Sequence, residues 1–244
     1  MQTKMKTLFL FLQLFFFISS FTASGQQSFT GKIENATPDK PAMDIVLFMF
    51  GLDNPVKVGT VDEKGNISID FPEVLPDTIA PEPKEIFATQ LPYALFFSCP
   101  DITSVAEGTV VYKGGYFSLS HQNRPWAATL FPVSDIGIIP WLEDRYYQSP
   151  IMASFYEVIY CEQNIDLTTL CKESISYTEN TIDMEYQYTL RLKKGFNLIE
   201  YKIEAIQETG IPDTSPIPSV VTITNADDMD ATLWHAKYYY SQFN

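Results

Sequence analysis

The sequence predicts an all-β protein in which antiparallel strands pack as one or more β-sandwiches, with one short helix near 141–147. Three observations support this fold class. Apolar and polar residues alternate with a period of two along much of the 244-residue chain. Compact turn sequences separate the alternating segments. No succession of strand, helix and strand is visible that would favour a parallel nucleotide-binding sheet.

The clearest alternation lies at 181–192, where even-numbered residues are apolar or aromatic and odd-numbered residues are polar. In a strand these two sets occupy opposite faces, so one set meets a core and the other meets water. The sequence Lys-Lys-Gly at 193–195 is typical of a tight turn, and the alternation resumes at 199–205. We therefore predict that these two strands form a hairpin.

The same pattern predicts the remaining strands, and polar or glycine-rich turns at 62–65 and 113–115 separate some of them. The helix is predicted for 141–147 because Pro140 suits the first helical position. The other predicted strands cover 29–33, 45–50, 56–61, 66–71, 93–97, 109–112, 116–119, 127–131, 154–161, 220–224 and 233–240.

The first 25 residues have the pattern of a secretory signal peptide. Lys4 and Lys6 precede an apolar run at 8–21, and the small residues 23–25 follow. The apolar run is too short to span a bilayer comfortably. We expect residues 1–25 to be removed, leaving a mature chain without a membrane span that is secreted, periplasmic or on the cell surface.

The mature chain is expected to contain two units. Five prolines fall among acidic residues at 72–92, and this composition is typical of a linker or a long surface connection. The linker divides a small N-terminal β-sandwich-like unit at 26–71 from a larger antiparallel β domain at 93–244. A unit as small as the first is marginal alone, so we expect it to pack on its neighbour.

Composition argues against several classes of function. The chain has 30 acidic and 16 basic residues, a net charge of −14. Such a surface repels nucleic acids and anionic membranes, so neither is an expected partner. The two histidines lack ligand spacing, and no nucleophile elbow, phosphate-binding loop or zinc-protease motif occurs. The sequence therefore predicts no cofactor and no catalytic residue.

Cys161 and Cys171 flank a short polar segment and are a candidate disulfide, since exported proteins retain disulfides. The bridge would close a loop of about 11 residues, worth roughly 3 kcal/mol. Sequence does not fix the geometry of the pair, so two free thiols are the alternative. If Cys161 and Cys171 form the bridge, Cys99 is left as a small buried apolar residue.

Aromatic residues supply the candidate ligand contacts. Trp141, Tyr146 and Tyr147 surround Glu143 and Asp144, which resembles a sugar-stacking platform beside a pair of carboxylates. The alternative for this segment is a solvated amphipathic turn. Three consecutive tyrosines end the chain's last predicted strand, and consecutive strand residues face opposite ways. We therefore add Tyr239 to the candidate ligand-binding residues.

Three aspartates, Asp227, Asp228 and Asp230, form a weak candidate calcium site. They offer several hard oxygen ligands within a predicted hairpin loop. The spacing of a calcium-binding helix-loop-helix is absent, and Asp is also an ordinary turn residue. No other metal site is predicted.

Residues 28–71 resemble the prealbumin-like, carboxypeptidase regulatory-type β-sandwich modules. The resemblance rests on a strand with Phe29, Gly31 and Ile33, a second strand at 45–50, and a closing hairpin at 59–69. It implies a non-catalytic accessory β module and transfers no catalytic residue. The whole chain, through its Phe-rich leader and the turn at 192–197, is similar to exported, functionally unassigned proteins of the Bacteroidota cell envelope.

Two functions remain open from the sequence. The first is an exported, non-enzymatic β-sandwich protein that binds or scaffolds a glycan, a peptide or another cell-envelope protein. The alternative is a secreted carbohydrate-directed hydrolase that uses paired carboxylates. A groove with two converging carboxylates would favour the hydrolase. An aromatic patch without them would favour binding.

Overall fold

A computed structural model describes residues 28–49, 54–75, 88–99, 102, 108–122, 124–177 and 180–240. The predicted signal peptide at 1–25 and most of the predicted linker lie outside the described residues. The described part is predominantly β, which confirms the all-β prediction. Within it, no helix has the length and apolar character needed to cross a membrane.

Thirteen strands, β1 to β13, and two short helices, α1 and α2, make up the regular structure of the described residues. In chain order the strands are β1 Ser28–Lys32, β2 Met43–Leu47, β3 Val56–Val61, β4 Asn66–Asp70, β5 Val111–Gly115, β6 Phe117–His121, β7 Arg124–Val133, β8 Ser154–Cys161, β9 Ile165–Tyr177, β10 Asn180–Leu192, β11 Gly195–Gln207, β12 Ile217–Asn225 and β13 Leu233–Tyr238. The helices are α1 Leu91–Ala94 and α2 Ile139–Glu143.

The strands are hydrogen-bonded in the order β1-β4-β3-β2-β6-β7-β8-β11-β12-β10-β9, with β13 beside β7 and β5 beside β8. Two hydrophobic cores result. The N-terminal core gathers β1 to β4 with β6 and β13, and the C-terminal core gathers β9, β10 and β12 with the helices. Strands β7, β8 and β11 contribute to both cores, because alternate residues such as Val158 and Ile159 point to opposite sides.

The N-terminal strands pack directly against β13. Ile33 forms an isolated parallel bridge with Trp234, which is buried in the N-terminal core. The Asn35 side chain donates a hydrogen bond to the carbonyl of Ala236 at 2.8 Å and accepts one from its N–H at 3.0 Å. Gly31 lies so close to the Trp234 indole that an added Cβ would stand 2.4 Å from Nε1. This is the packing that the small size of the N-terminal unit predicts.

The predicted hairpin of β10 and β11 is wrong, because β12 lies between these strands. β12 runs parallel to β10 and antiparallel to β11. The Asn225 side chain, at the end of β12, accepts a hydrogen bond from Arg191 N–H and donates one to its carbonyl. The turn itself is as predicted, with Gly195 at φ +106°. Alternation therefore identified both strands but not their neighbour.

Three smaller predictions also differ from the structure. The predicted strand at 93–97 begins inside α1, where Pro92 occupies the first turn of the helix. No strand was predicted at 165–177, where the structure has the long strand β9. Helix α2 ends at Glu143, earlier than predicted, and begins earlier too. It follows a 3₁₀ turn that starts where the Asp135 side chain accepts the N–H of Gly137.

The predicted Cys161–Cys171 disulfide is also wrong. Cys171 is bonded to Cys99, with Cα atoms 6.5 Å apart, and Cys161 is a buried free thiol. The segment between Cys161 and Cys171 is mostly extended strand rather than a loop, and six strand residues carry Cys171 about 20 Å beyond Ile165. Burial raises the pKa of the Cys161 thiol to about 12, so this cysteine behaves as a small apolar core residue.

Candidate functional site

An open groove of about 690 Å³ lies on the surface where β5, β6 and β7 meet the residues that follow β13. Most of its lining is aromatic, and we call it the aromatic groove. The aromatic side chains that line it are Phe48, Tyr116, Trp126, Tyr239 and Tyr240. Lys113, Gly115, Ser118 and Thr129 complete the lining.

Trp126 is the largest exposed ring of the groove. It lies near the start of β7 with 58% of its surface exposed, and its ring centroid is 4.6 Å from that of Phe48. The two alanines that follow it, Ala127 and Ala128, are both buried in the N-terminal core. The indole is therefore fixed at one edge by Phe48 and by its rigid strand, while its other side is open to a ligand.

Tyr116 also lines the groove, between β5 and β6. The chain reverses here through Gly115, which has φ +74°. The exposed Tyr116 ring has its centroid 6.1 Å from that of Phe131, which holds its base. Burial of part of the side chain raises the pKa of the Tyr116 phenol, with a smaller contribution from the Glu157 carboxylate. The hydroxyl is therefore a neutral donor at ordinary pH.

Hydroxyl groups and cations supply the polar part of the groove. The hydroxyls of Thr129 and Tyr239 are hydrogen-bonded at 2.6 Å, so the Tyr239 ring is held in place. The Arg124 guanidinium is not a lining residue, but it lies 4.8 Å from the centroid of the Tyr240 ring, within cation–π range. Lys113 projects into the groove from β5. The groove thus combines flat apolar rings with a few fixed donors and acceptors.

The position of Lys113 depends on a buried carboxylate. Glu157 on β8 is almost fully buried, and its Oε1 lies 3.5 Å from Lys113 Nζ. Its Oε2 has no hydrogen-bond partner. Burial raises the Glu157 pKa, and Lys113 and the Tyr201 hydroxyl partly oppose this by bonding the charged form. Tyr201 in turn accepts the N–H of Phe96 at 3.0 Å, which connects the groove to the C-terminal core.

A second, shallower hollow of about 550 Å³ continues on the other side of Tyr239 and Tyr240. Tyr238, Asn35 and Lys40 also line it. Lys40 Nζ lies 5.2 Å from the centroid of the Tyr238 ring. The consecutive tyrosines after and within β13 therefore border two adjoining depressions, which lengthens the aromatic surface.

The structure does not bring the four predicted ligand contacts together in one site. Tyr239 is exposed and lines the groove together with Tyr240, and its role as a ligand contact stays a prediction. Tyr146 and Tyr147 are exposed by 88% and 83% in the turn after α2 and are not among the groove's lining residues. Trp141 is 4% exposed in the C-terminal core, 6.1 Å from Phe155, so its prediction as a ligand contact is wrong. The helix is amphipathic, and its tryptophan faces inward.

The acidic candidates form local contacts instead of a shared site. Glu143 lies 2.5 Å from Lys237 in an exposed ion pair. Asp228 accepts the N–H of Asp230 at 2.8 Å, which is a turn contact. Across the described part of the chain, no three His, Cys, Asp or Glu side chains converge to hold a metal ion. Asp227, Asp228 and Asp230 lie in that part, and they do not converge in this way either.

Sequence reasoning missed Trp126 and Tyr116 because most aromatics in strands face a core. For Trp126 the alternation points the wrong way, because it places the indole on the same strand face as Ala128 and Leu130, which are buried. For Tyr116 we find no signal in the sequence, because its exposure depends on the turn at Gly115.

Comparisons with known proteins identify no matching family model, no matching curated protein and no matching solved structure for this chain.

Proposed function

We propose that this chain is a non-enzymatic, exported binding protein of the cell envelope that binds a glycan in the aromatic groove. The observation that carries the proposal is the set of three exposed rings, Trp126, Tyr116 and Tyr239, that line one groove beside fixed hydroxyls. A sugar ring has an apolar C–H face and a rim of hydroxyls. Trp and Tyr offer a flat apolar face and a polar tip, so they match both parts.

The glycan is favoured over an extended peptide because of the strand pairing around the groove. A peptide that adds to a sheet needs an unpaired strand edge for its main-chain hydrogen bonds. β6 is paired on both sides, with β2 and β7, and β7 is paired with β6, β13 and β8. β5 is paired with β8 and forms a bridge to Thr89 through Val111. A ligand in this groove therefore meets side chains, which suits recognition through ring stacking and hydroxyl hydrogen bonds.

The β-sandwich arrangement, export and the cell-envelope location are part of the same proposal. The β-sandwich arrangement is supported by two cores that lie on opposite sides of β7, β8 and β11. Export and the cell-envelope location are supported by the leader pattern at 1–25. The resemblance of 28–71 to prealbumin-like accessory modules supports a binding role rather than catalysis.

A carbohydrate-directed hydrolase is the competing function. It needs two carboxyl groups about 5–10 Å apart on either side of the scissile bond. The groove presents Lys113 and hydroxyls to a ligand, and the Glu157 carboxylate bonded to Lys113 is buried. The two functions differ in a simple measurement, because a hydrolase releases new reducing ends from the glycan it binds.

The test is a glycan array probed with the mature protein, followed by calorimetry on the strongest ligand and on unrelated peptides. We expect glycan binding without release of reducing ends. Trp126→Ala is expected to weaken glycan binding about tenfold, because stacking on an aromatic face is worth up to about 1.5 kcal/mol beyond its area burial and about 1.4 kcal/mol corresponds to tenfold in affinity. Tyr146→Ala is the control, since that ring is even more exposed than Trp126 but lies outside the groove. Peptide binding alone, or equal affinity of the Trp126 variant, would overturn the proposal.

A further inference from the structure

β9 ends the hydrogen-bonded order of strands, and its pairing is unusually long. All 13 residues of Ile165–Tyr177 pair with β10 in one uninterrupted antiparallel register. The strand contains no proline, no glycine and no bulge. Among the described residues, its other edge has no strand partner and makes no backbone hydrogen bond. Long regular edges of this kind are templates for pairing with another strand.

The two faces of β9 differ in character. Ile165, Leu167 and Cys171 are buried in the C-terminal core. The even-numbered residues are exposed, including Leu170 with 47% of its surface accessible. A slip of one residue in any pairing would place core-facing residues against solvent-facing ones. The faces therefore restrict which registers a partner strand is able to adopt.

The exposed charges of β9 are complementary to β9 itself. A two-fold axis through Thr169 aligns two antiparallel copies with their faces matched. In this register Asp166 of each copy lies opposite Lys172 of the other. Within one chain, Asp166 is opposite Arg191 on β10 and Lys172 is opposite Glu185, whose carboxylate lies 2.9 Å away. Two paired copies would thus carry a row of alternating charges across four strands.

We propose that the free edge of β9 is a self-association surface, and that its partner is β9 of a second copy of this chain in antiparallel orientation. Nine residues of each copy, 165–173, pair with each other in the register centred on Thr169. This inference is independent of the aromatic groove, since β9 contributes no residue to that site. It gives the protein two chemically separate surfaces, one for a ligand and one for a second copy.

The experiment is sedimentation equilibrium of the mature protein with four charge variants. The wild-type mass is expected to rise from one toward two chain masses as concentration increases. Asp166→Lys alone and Lys172→Asp alone should each weaken self-association at least tenfold, because like charges then face each other in both symmetric pairs. An equimolar mixture of these two variants should restore the dimer, since the charges are again complementary in the mixed pair.

Glu63→Lys and Lys64→Asp are the controls, because they make the same charge changes as Asp166→Lys and Lys172→Asp in an exposed turn away from β9. Thermal unfolding of every variant shows that the fold is retained, and the rescue in the mixture excludes loss by misfolding. The proposal is overturned by a wild-type protein that stays monomeric at all concentrations. It is equally overturned if single variants associate like wild type, or if the mixture stays monomeric.

Discussion

The disulfide between Cys99 and Cys171 allows a quantitative prediction about stability. The two cysteines are 72 residues apart in the chain. The chain-entropy relation for a loop of this length gives about 4.4 kcal/mol of stabilisation, against about 3 kcal/mol for the shorter loop between Cys161 and Cys171. The double variant Cys99→Ala with Cys171→Ala is therefore expected to lose about 4 kcal/mol of unfolding free energy.

The structure also shows which contacts the disulfide protects. Cys99 ends a segment whose Phe96 and Phe97 rings pack on Phe155, with centroids 4.7 and 6.3 Å away. The Tyr188 hydroxyl donates to the carbonyl of Phe97 at 3.2 Å. This segment has little regular structure beyond α1, so its order relies on the aromatic contacts and the covalent link to β9. Loss of the link is expected to loosen the segment before the sheet unfolds.

Urea unfolding followed by tryptophan fluorescence measures the loss. With a slope of about 2.5 kcal/mol per molar urea, the midpoint should fall by roughly 1.5–2 M. Cys161→Ala is the matched control, because it removes a buried thiol and keeps the disulfide. The reasoning fails if the double variant unfolds at the wild-type midpoint. It fails also if peptide mapping of the native protein finds Cys161 in a disulfide.

Two further predictions concern the buried Glu157 carboxylate and the close contact between Gly31 and Trp234. Burial raises the pKa of Glu157 in the folded state, so the folded protein binds this proton more tightly than the unfolded chain does. The contribution of Glu157 to stability therefore falls as the pH rises from its unfolded-state pKa to its folded-state pKa. Glu157→Gln should remove this loss of stability with rising pH, which urea midpoints measured from acid to neutral pH will show. If the midpoint of the variant depends on pH as in the wild type, Glu157 is not the group responsible. Gly31→Ala should destabilise the protein by about 1–3 kcal/mol, because the new Cβ would stand 2.4 Å from Trp234 Nε1. Its melting temperature should drop accordingly, and a wild-type value would show that the indole is free to move.

The strands themselves were largely predictable, because alternation is a local property of the sequence. β3 and β8 have the bounds that the pattern predicts, 56–61 and 154–161. β9 was missed since its apolar positions, Ile165, Leu167 and Cys171, are sparse and separated by threonines. Pairing partners were not predictable, because the position of β12 depends on contacts between distant parts of the chain.

The candidate site was predictable only in part, because exposure is decided by tertiary packing. Tyr239 was identified since three consecutive tyrosines in a strand cannot all face inward. Trp141 was assigned to a surface because it stands among charged residues, but its position on a short amphipathic helix turns it into the core. Trp126 and Phe48 are distant in sequence, and only the fold brings their rings together.

The insertion of β12 between β10 and β11 has a consequence for the rate of folding. The short link at 193–195 joins two strands that are not neighbours in the sheet. The strand between them comes from further along the chain, since Glu185 on β10 pairs with Val220 on β12. This part of the sheet therefore depends on a non-local strand pairing, which is the kind of contact that slows folding.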